Sequence, residues 1–315
     1  MVAVLANSLV PIFVGLLFGY AAGVLKIVDN KNVKGLIAFL MTFALPCSLF
    51  VTIAGTPYQV LWGQAKVGGV LALVYVAVFL STYYASRTLA KDTAANSAVL
   101  ALTIGFPNAA AVGIPLLRAV YGPQALVTVA ISIAIGAITI TPITLAILES
   151  GSSADKTPSA AARIGGFLWK ALKRPVFWAP VLGVVAAALH ISMPGYLDNS
   201  LTIFGGATEA TALFVTGLIA SAHRFSLDWG VGLAVAGKNV IQPALCLAVA
   251  LLLGMSLEHT RYLALLCAIP CGFFGILFGE SFDAIPQLAS SSLIASTVAG
   301  IVTLPGWIIL LDRLR

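Results

Sequence analysis

The chain has 315 residues, of which 60% are apolar and 9% charged, and its formal net charge is +6. A mean hydropathy of +1.04 with so little charge excludes an ordinary soluble domain, which carries roughly 25% charged residues. The expectation is an all-α polytopic membrane protein with the lipid bilayer as its solvent and no nucleic-acid partner.

Apolar runs of about 20 residues, the length that crosses a bilayer, fall at 3–24, 34–54, 65–86, 97–119, 123–148, 175–192, 198–221, 229–254, 259–280 and 288–311. These ten spans use nearly the whole chain. Only 149–174, with its Gly151-Ser152-Ser153 and Pro158-Ser159, reads as a linker. The first span has no basic leader segment and is expected to be retained rather than cleaved. Cys47, Cys246, Cys267 and Cys271 all lie inside spans without metal-ligand spacing, so they are expected as small buried hydrophobes.

The basic residues are unevenly placed. Loops after odd-numbered spans hold Lys26, Lys31, Lys34, Arg87, Lys91, Lys156, Arg163, Lys170, Lys173, Arg174 and Arg224, whereas even-numbered ends hold Lys66, Arg118, Arg261, Arg313 and Arg315. Positive charge stays on the cytoplasmic side, which predicts odd loops inside and both termini outside.

The chain also matches itself at an offset of 163 to 164 residues. Pro11-Ile12-Phe13 answers Pro175-Val176-Phe177, and Gly19 answers Gly183. Leu49-Phe50-Val51-Thr52 answers Leu213-Phe214-Val215-Thr216, Pro107 answers Pro270, and Pro142 answers Pro305. Five matches at one offset predict two five-helix repeats, 1–148 and 175–315, with 149–174 as a cytoplasmic linker. An odd number of spans per repeat makes the second insert upside down, an inverted 5+5 repeat.

In the fourth span, Phe106-Pro107-Asn108-Ala109-Ala110-Ala111-Val112-Gly113-Ile114-Pro115 places two prolines and a glycine near mid-membrane. Proline removes a backbone donor and clashes with the preceding turn, so the helix is expected to open here. Its counterpart in span nine is Ile269-Pro270-Cys271-Gly272-Phe273-Phe274-Gly275. Paired interruptions are where secondary transporters hold substrate. Asn108 is the strongly polar side chain at either opening, with two donors and an acceptor suited to a carboxylate. The half-helix N-termini at each break add positive dipole ends. The expected substrate site therefore comprises Pro107, Asn108, Gly113, Pro115, Pro270, Cys271 and Gly272.

Two ionisable residues lie deep in spans, Glu209 in span seven and Lys238 in span eight, and such groups are functional by default because burying them is costly. The expectation is that they pair across neighbouring helices, either with Glu209 and Lys238 serving coupling or gating, protonation of Glu209 linking transport to a proton gradient, or as a static structural ion pair. Asn7, Ser48, Thr52, Asn239 and Gln242 are further intramembrane polar residues. Gly15, Gly19 and Gly23 form a small-residue stripe, equally consistent with packing inside the chain or across a dimer.

The chain lacks a His-Glu-x-x-His, a Gly-x-Ser-x-Gly and any central membrane aspartate, so an enzyme is not expected and no cofactor is called for.

At these motifs the chain resembles the auxin efflux carrier family of transporters, whose bacterial members include malonate and malate permeases. Pro11 with its glycine-spaced helix, Ala44-Leu45-Pro46-Cys47-Ser48-Leu49-Phe50, Asn108-x4-Gly113-Ile114-Pro115-Leu116 with Tyr121-Gly122, Lys238-x4-Pro243 and Pro270 carry the resemblance, which spans essentially the whole chain. It implies a fold of the sodium/proton antiporter type in which broken helices four and nine cross, with a scaffold bundle, a moving crossover bundle and a homodimer. It also implies a small organic anion as substrate, a mono- or dicarboxylate such as malonate or malate or an auxin-like acid, and it favours Ser48 in the site. The central loop is shorter than in plant members, and the expected location is a bacterial cytoplasmic (inner) membrane. Two departures stand out: Ala109-Ala110 where a small residue or glycine usually follows the asparagine, and Cys271 in place of a polar partner. Alternatives are a sodium-coupled organic anion symporter of the bile acid carrier type, for which side-chain sodium ligands are thin, and a channel or receptor.

Overall fold

The computed structural model describes residues 2–30, 33–59, 64–152, 175–222, 226–284 and 287–314. Most of the expected linker, from 153 to 174, lies outside the described residues, as do Lys31, Arg224 and Arg315. The described chain is helical throughout, with no strand among the described residues.

In chain order the helices are α1 (Val2–Val24), α2 (Lys34–Ala54), α3 (Ala65–Thr88), α4 (Ala94–Gly105), α5 (Ile114–Tyr121), α6 (Leu126–Ile138), α7 (Ile140–Ser152), α8 (Pro175–Ala188), α9 (Gly195–Ala222), α10 (Trp229–Leu252), α11 (Leu257–Ala268), α12 (Phe274–Ser281) and α13 (Gln287–Asp312). Six helical stretches among the described residues, Lys34–Ala54, Ala65–Thr88, Pro123–Ser150, Gly195–Ala222, Trp229–Leu252 and Gln287–Asp312, are long and apolar enough to cross a membrane. The shorter α4, α5, α8, α11 and α12 fall within other expected spans. Local signals set several starts: Thr93 accepts a hydrogen bond from Asn96 N–H at α4, Asp228 from Val231 N–H at α10, and Ser256 from His259 N–H at α11, each satisfying an orphan donor.

Three spans contain a wider turn that periodicity does not foretell. Leu40–Ala44, Ala109–Gly113 and Gly237–Ile241 are single π turns, and each ends two residues before a proline, Pro46, Pro115 and Pro243. A proline ring clashes with the carbonyl four residues earlier and offers no N–H. Widening the preceding turn to an i→i+5 pattern moves that carbonyl aside. The expected single span 123–148 is likewise divided at Thr139, with φ −108° and ψ −85°, three residues before Pro142.

The helices pack in two groups. In one, α1 lies along α9, and α2 packs on both α8 and α9. In the other, α4 is surrounded by α3, α7, α12 and α13, and α10 packs on α3, α11 and α13. The glycine stripe belongs to the first group. A Cβ on Gly19 would lie 1.8 Å from the Phe214 carbonyl oxygen, and one on Gly217 would lie 2.0 Å from that of Leu16. The stripe therefore serves close approach of α1 and α9 within one chain, driven by dispersion between backbones.

Candidate functional site

The interruptions expected at Pro107 and Pro270 meet. After Gly105 the chain turns extended at Phe106 (φ −100°, ψ 114°), and after Ala268 it does so at Ile269 (φ −65°, ψ 155°). The two segments then exchange backbone hydrogen bonds. Asn108 N–H donates to the Pro270 carbonyl at 3.1 Å, and Gly272 N–H donates to the Phe106 carbonyl at 2.9 Å and that of Thr103 at 3.1 Å. Pro107 and Cys271 form an antiparallel bridge, and Cys271 N–H reaches Ser296 Oγ at 3.0 Å. Backbone freed by the prolines is thereby satisfied without water, as an apolar interior demands. Gly272 is required by this approach, since a Cβ there would lie 2.5 Å from the Phe106 carbonyl oxygen.

Ending α4 and α11 inside the protein aims two helix C-termini, with their partial negative charge, at the same place. Lys238 answers both. Its ammonium is fully buried, donating to the Cys267 carbonyl at 3.2 Å and to Gln242 Oε1 at 2.8 Å, while Gln242 Nε2 donates to the Gly105 carbonyl at 2.9 Å. The expected Glu209–Lys238 pair is therefore corrected. Lys238 donates to the end of α11 and to Gln242, which in turn answers the end of α4, whereas Glu209 lines a separate space. Nearby, Asn239 holds α13 through Ser296 O at 2.9 Å and Thr303 Oγ1 at 3.1 Å.

On the other side of the joined breaks lies a cavity of ≈ 290 Å³, at the seam between the two helix groups. The first group contributes Ser48, Leu49 and Thr52 from α2, and Thr202, Gly205, Thr208 and Glu209 from α9. The second contributes Phe106, Pro107, Asn108, Ala109 and Gly272 to Phe274, while α5 and α6, which touch both groups, add Ile114 and Ile133. Of the expected site residues, Asn108, Pro107, Gly272, Ser48 and Glu209 thus converge on one space. Gly113, Pro115, Pro270, Cys271 and Lys238 do not line it: Gly113 packs near Leu266, Ile269 and Val129, Cys271 is buried, and the Pro270 ring lies against Gly300.

Asn108 is only 6% exposed, and the hydrogen bonds found for it among the described residues are all made by its backbone. Its backbone is fully used, the carbonyl accepting from Val112 N–H at 3.0 Å and Gly113 N–H at 3.3 Å. Two donors and an acceptor are left facing the cavity, beside the N-terminal ends of the Ala109–Gly113 turn and of α12. Thr208 adds a buried hydroxyl without a partner among the described residues. Among the lining residues Glu209 carries the one carboxylate, and none carries a basic group. The rest of the wall is aromatic and aliphatic: the Phe106 and Phe274 rings stack at 5.3 Å, and Phe273 meets Phe274 at 4.7 Å.

Sequence reasoning missed Thr208, Thr202 and the three phenylalanines. The pair Gly205-Gly206 just before Thr208 was the available signal, since glycine inside a helical pattern marks close backbone approach. A Cβ on Gly205 would lie 2.9 Å from Ser48 Cα, so this glycine lets α9 press onto α2 and bring Thr208 and Glu209 beside Ser48.

A family model described as membrane transport protein matches residues 4–308. The chain is similar to the uncharacterized transporter YfdV of Escherichia coli (strain K12), 30% identical over 96% of each chain. It is also similar to auxin efflux carrier component 8 of Arabidopsis thaliana, 21% identical over 97% of each chain. The lysosomal cholesterol signaling protein of Mus musculus is 25% identical across 96% of this chain and 37% of its own length.

Proposed function

The chain belongs to the membrane transport protein family that includes the auxin efflux carriers, and from that premise we propose that it moves a small organic anion by alternating access. It is an integral, multi-pass membrane transporter of that family. In the finer reading, ten spans form an inverted 5+5 repeat of the sodium/proton antiporter type, 1–148 and 175–315 joined by 149–174. Spans four and nine cross at their breaks, the group containing them shifts against the group of α1, α2, α8 and α9, and two copies pair as a homodimer in a bacterial inner membrane with both termini outside.

The observation that carries this reading is the Asn108 amide, with no side-chain hydrogen bond among the described residues, lining a partly open cavity between two helix groups. The amide N–H donors and two helix N-termini supply attraction for a carboxylate without a buried cation. Glu209 shapes the coupling. Two ionised carboxylates in one low-dielectric cavity repel strongly, so the anion enters with Glu209 protonated, and transport carries a proton with the substrate. This also favours a monocarboxylate over a dicarboxylate, whose second charge would meet the same wall.

Uptake of labelled mono- and dicarboxylates into proteoliposomes, with pH and sodium gradients imposed separately, tests the reading. Monocarboxylate uptake that follows the pH gradient is expected, and Asn108→Ala should abolish it while the protein still elutes as a folded species. Uptake driven by sodium and indifferent to pH would move the protein to the symporter reading. No carboxylate uptake under any gradient would overturn the substrate class.

A further inference from the structure

A second cavity, of ≈ 430 Å³, lies next to the first along the same seam. It is framed by Gly55, Thr56 and Pro57 beyond α2 and by Leu126, Val127 and Ala130 of α6. Gly55 and Pro57 at its rim are exposed. Four residues line both cavities: Val51, Thr52, Ile114 and Ile133. They lie where the two spaces adjoin, and three of the four are aliphatic. Val51 and Thr52 come from α2, Ile114 from α5 and Ile133 from α6, so three separate helices meet here.

We propose that the second cavity is the outer vestibule of the transport path and that Val51, Ile114 and Ile133 are the door between it and the Asn108 site. The assignment rests on the transporter reading only in that a solute must pass between the two spaces. An aliphatic constriction stops water and ions by dewetting, without any charged latch. The outer side follows from the charge distribution, which leaves the 55–57 and 122–125 turns on the face poor in Lys and Arg.

The door has a built-in pivot. Ile114 N–H bonds to the Ala109 carbonyl, five residues back, closing the π turn that Pro115 imposes. Each residue of an α-helix turns through about 100°, so drawing this turn back to an α pattern swings the Ile114 side chain by roughly that angle. Ile114 is 38% exposed, so its side chain has room to swing. The same turn begins at Ala109, beside Asn108, which links an event at the binding amide to the position of the door through one turn of backbone.

The test uses thiol labelling and no substrate, so its failure is separable from failure of the anion reading. In a Cys47→Ser background the remaining cysteines, Cys246, Cys267 and Cys271, are at most 1% exposed. Single cysteines are placed at Thr56→Cys in the vestibule and Ser48→Cys in the site, and intact cells are treated with a membrane-impermeant methanethiosulfonate. Thr56→Cys should label rapidly, and Ser48→Cys slower by about an order of magnitude or more. Combining Ile114→Ala with Ile133→Ala should bring Ser48→Cys close to the Thr56→Cys rate, with Ile114→Val and Ile133→Val falling between. An unchanged Thr56→Cys rate in the same backgrounds reports that the fold has survived. Rapid labelling of Ser48→Cys with the door intact, or no response to the alanine pair, overturns the door. Labelling of Thr56→Cys only from the cytoplasmic side overturns the outer vestibule.

Discussion

Gln242→Leu isolates the device that holds the two breaks together. Gln242 donates to the Gly105 carbonyl at 2.9 Å and accepts from the Lys238 ammonium at 2.8 Å. Leucine is of similar volume and fits an apolar interior, so the substitution removes the two hydrogen bonds and little packing. The Gly105 carbonyl is then buried without a donor, which costs about 1–3 kcal/mol, and the ammonium loses a charge-assisted bond, about 1.5–3 kcal/mol. The total is roughly 3–6 kcal/mol, because the charge stays buried while its partners go. For a chain of this size the thermal midpoint in a fixed detergent should drop on the order of 5–10 °C, read by the loss of the monodisperse peak on gel filtration after heating. Val240→Leu, two residues away and half exposed to lipid, is the matched control and should leave the midpoint unchanged. A Gln242→Leu midpoint equal to that of the control would refute the claim that Lys238 and Gln242 neutralise the two helix ends.

Glu209→Gln mimics the protonated acid. Wild-type uptake should fall as external pH rises and Glu209 ionises, whereas the variant, whose amide cannot carry a proton across, should lose the drive from the pH gradient and show uptake independent of pH in the proteoliposome assay; a variant with the wild-type pH profile would remove Glu209 from coupling. Gly272→Ala sets a methyl 2.5 Å from the Phe106 carbonyl oxygen, which accepts the Gly272 N–H, so uptake should be lost, whereas Gly306→Ala, with open space around its Cβ, should transport normally. Gly19→Leu should prevent α1 from seating on α9 and abolish recovery of folded protein on gel filtration; Gly35→Ala, which meets nothing within 4 Å, should be recovered in full.

Much of this was legible in the chain because it depends on local chemistry. Hydrophobic run length predicts helices where the structure has them, and Pro107 and Pro270 predict interruptions because a proline breaks its own helix whatever surrounds it. Asn108 stood out for the same reason, as the polar side chain at an opening. The pairing of Lys238 with Glu209 was not borne out, because two intramembrane charges of opposite sign suggest a pair and nothing local says that the ammonium donates instead to Gln242 and the Cys267 carbonyl. The glycine stripe was readable as a site of close approach, but its partner was not, since a stripe says how near a neighbour comes and not which one.

What the sequence by itself determined is therefore the membrane character, the order and approximate limits of the helices, and the places where they must open, all consequences of apolar run length and backbone chemistry. Only the tertiary structure decided that the two openings hydrogen-bond to each other, that Lys238 and Gln242 answer the helix ends, and that Ser48, Thr208 and Glu209 face Asn108 across a seam. Those facts depend on approaches between residues from about thirty to more than a hundred and sixty positions apart. Such approaches are set by which small residues let which backbones close to contact, and that choice is a property of the packed whole.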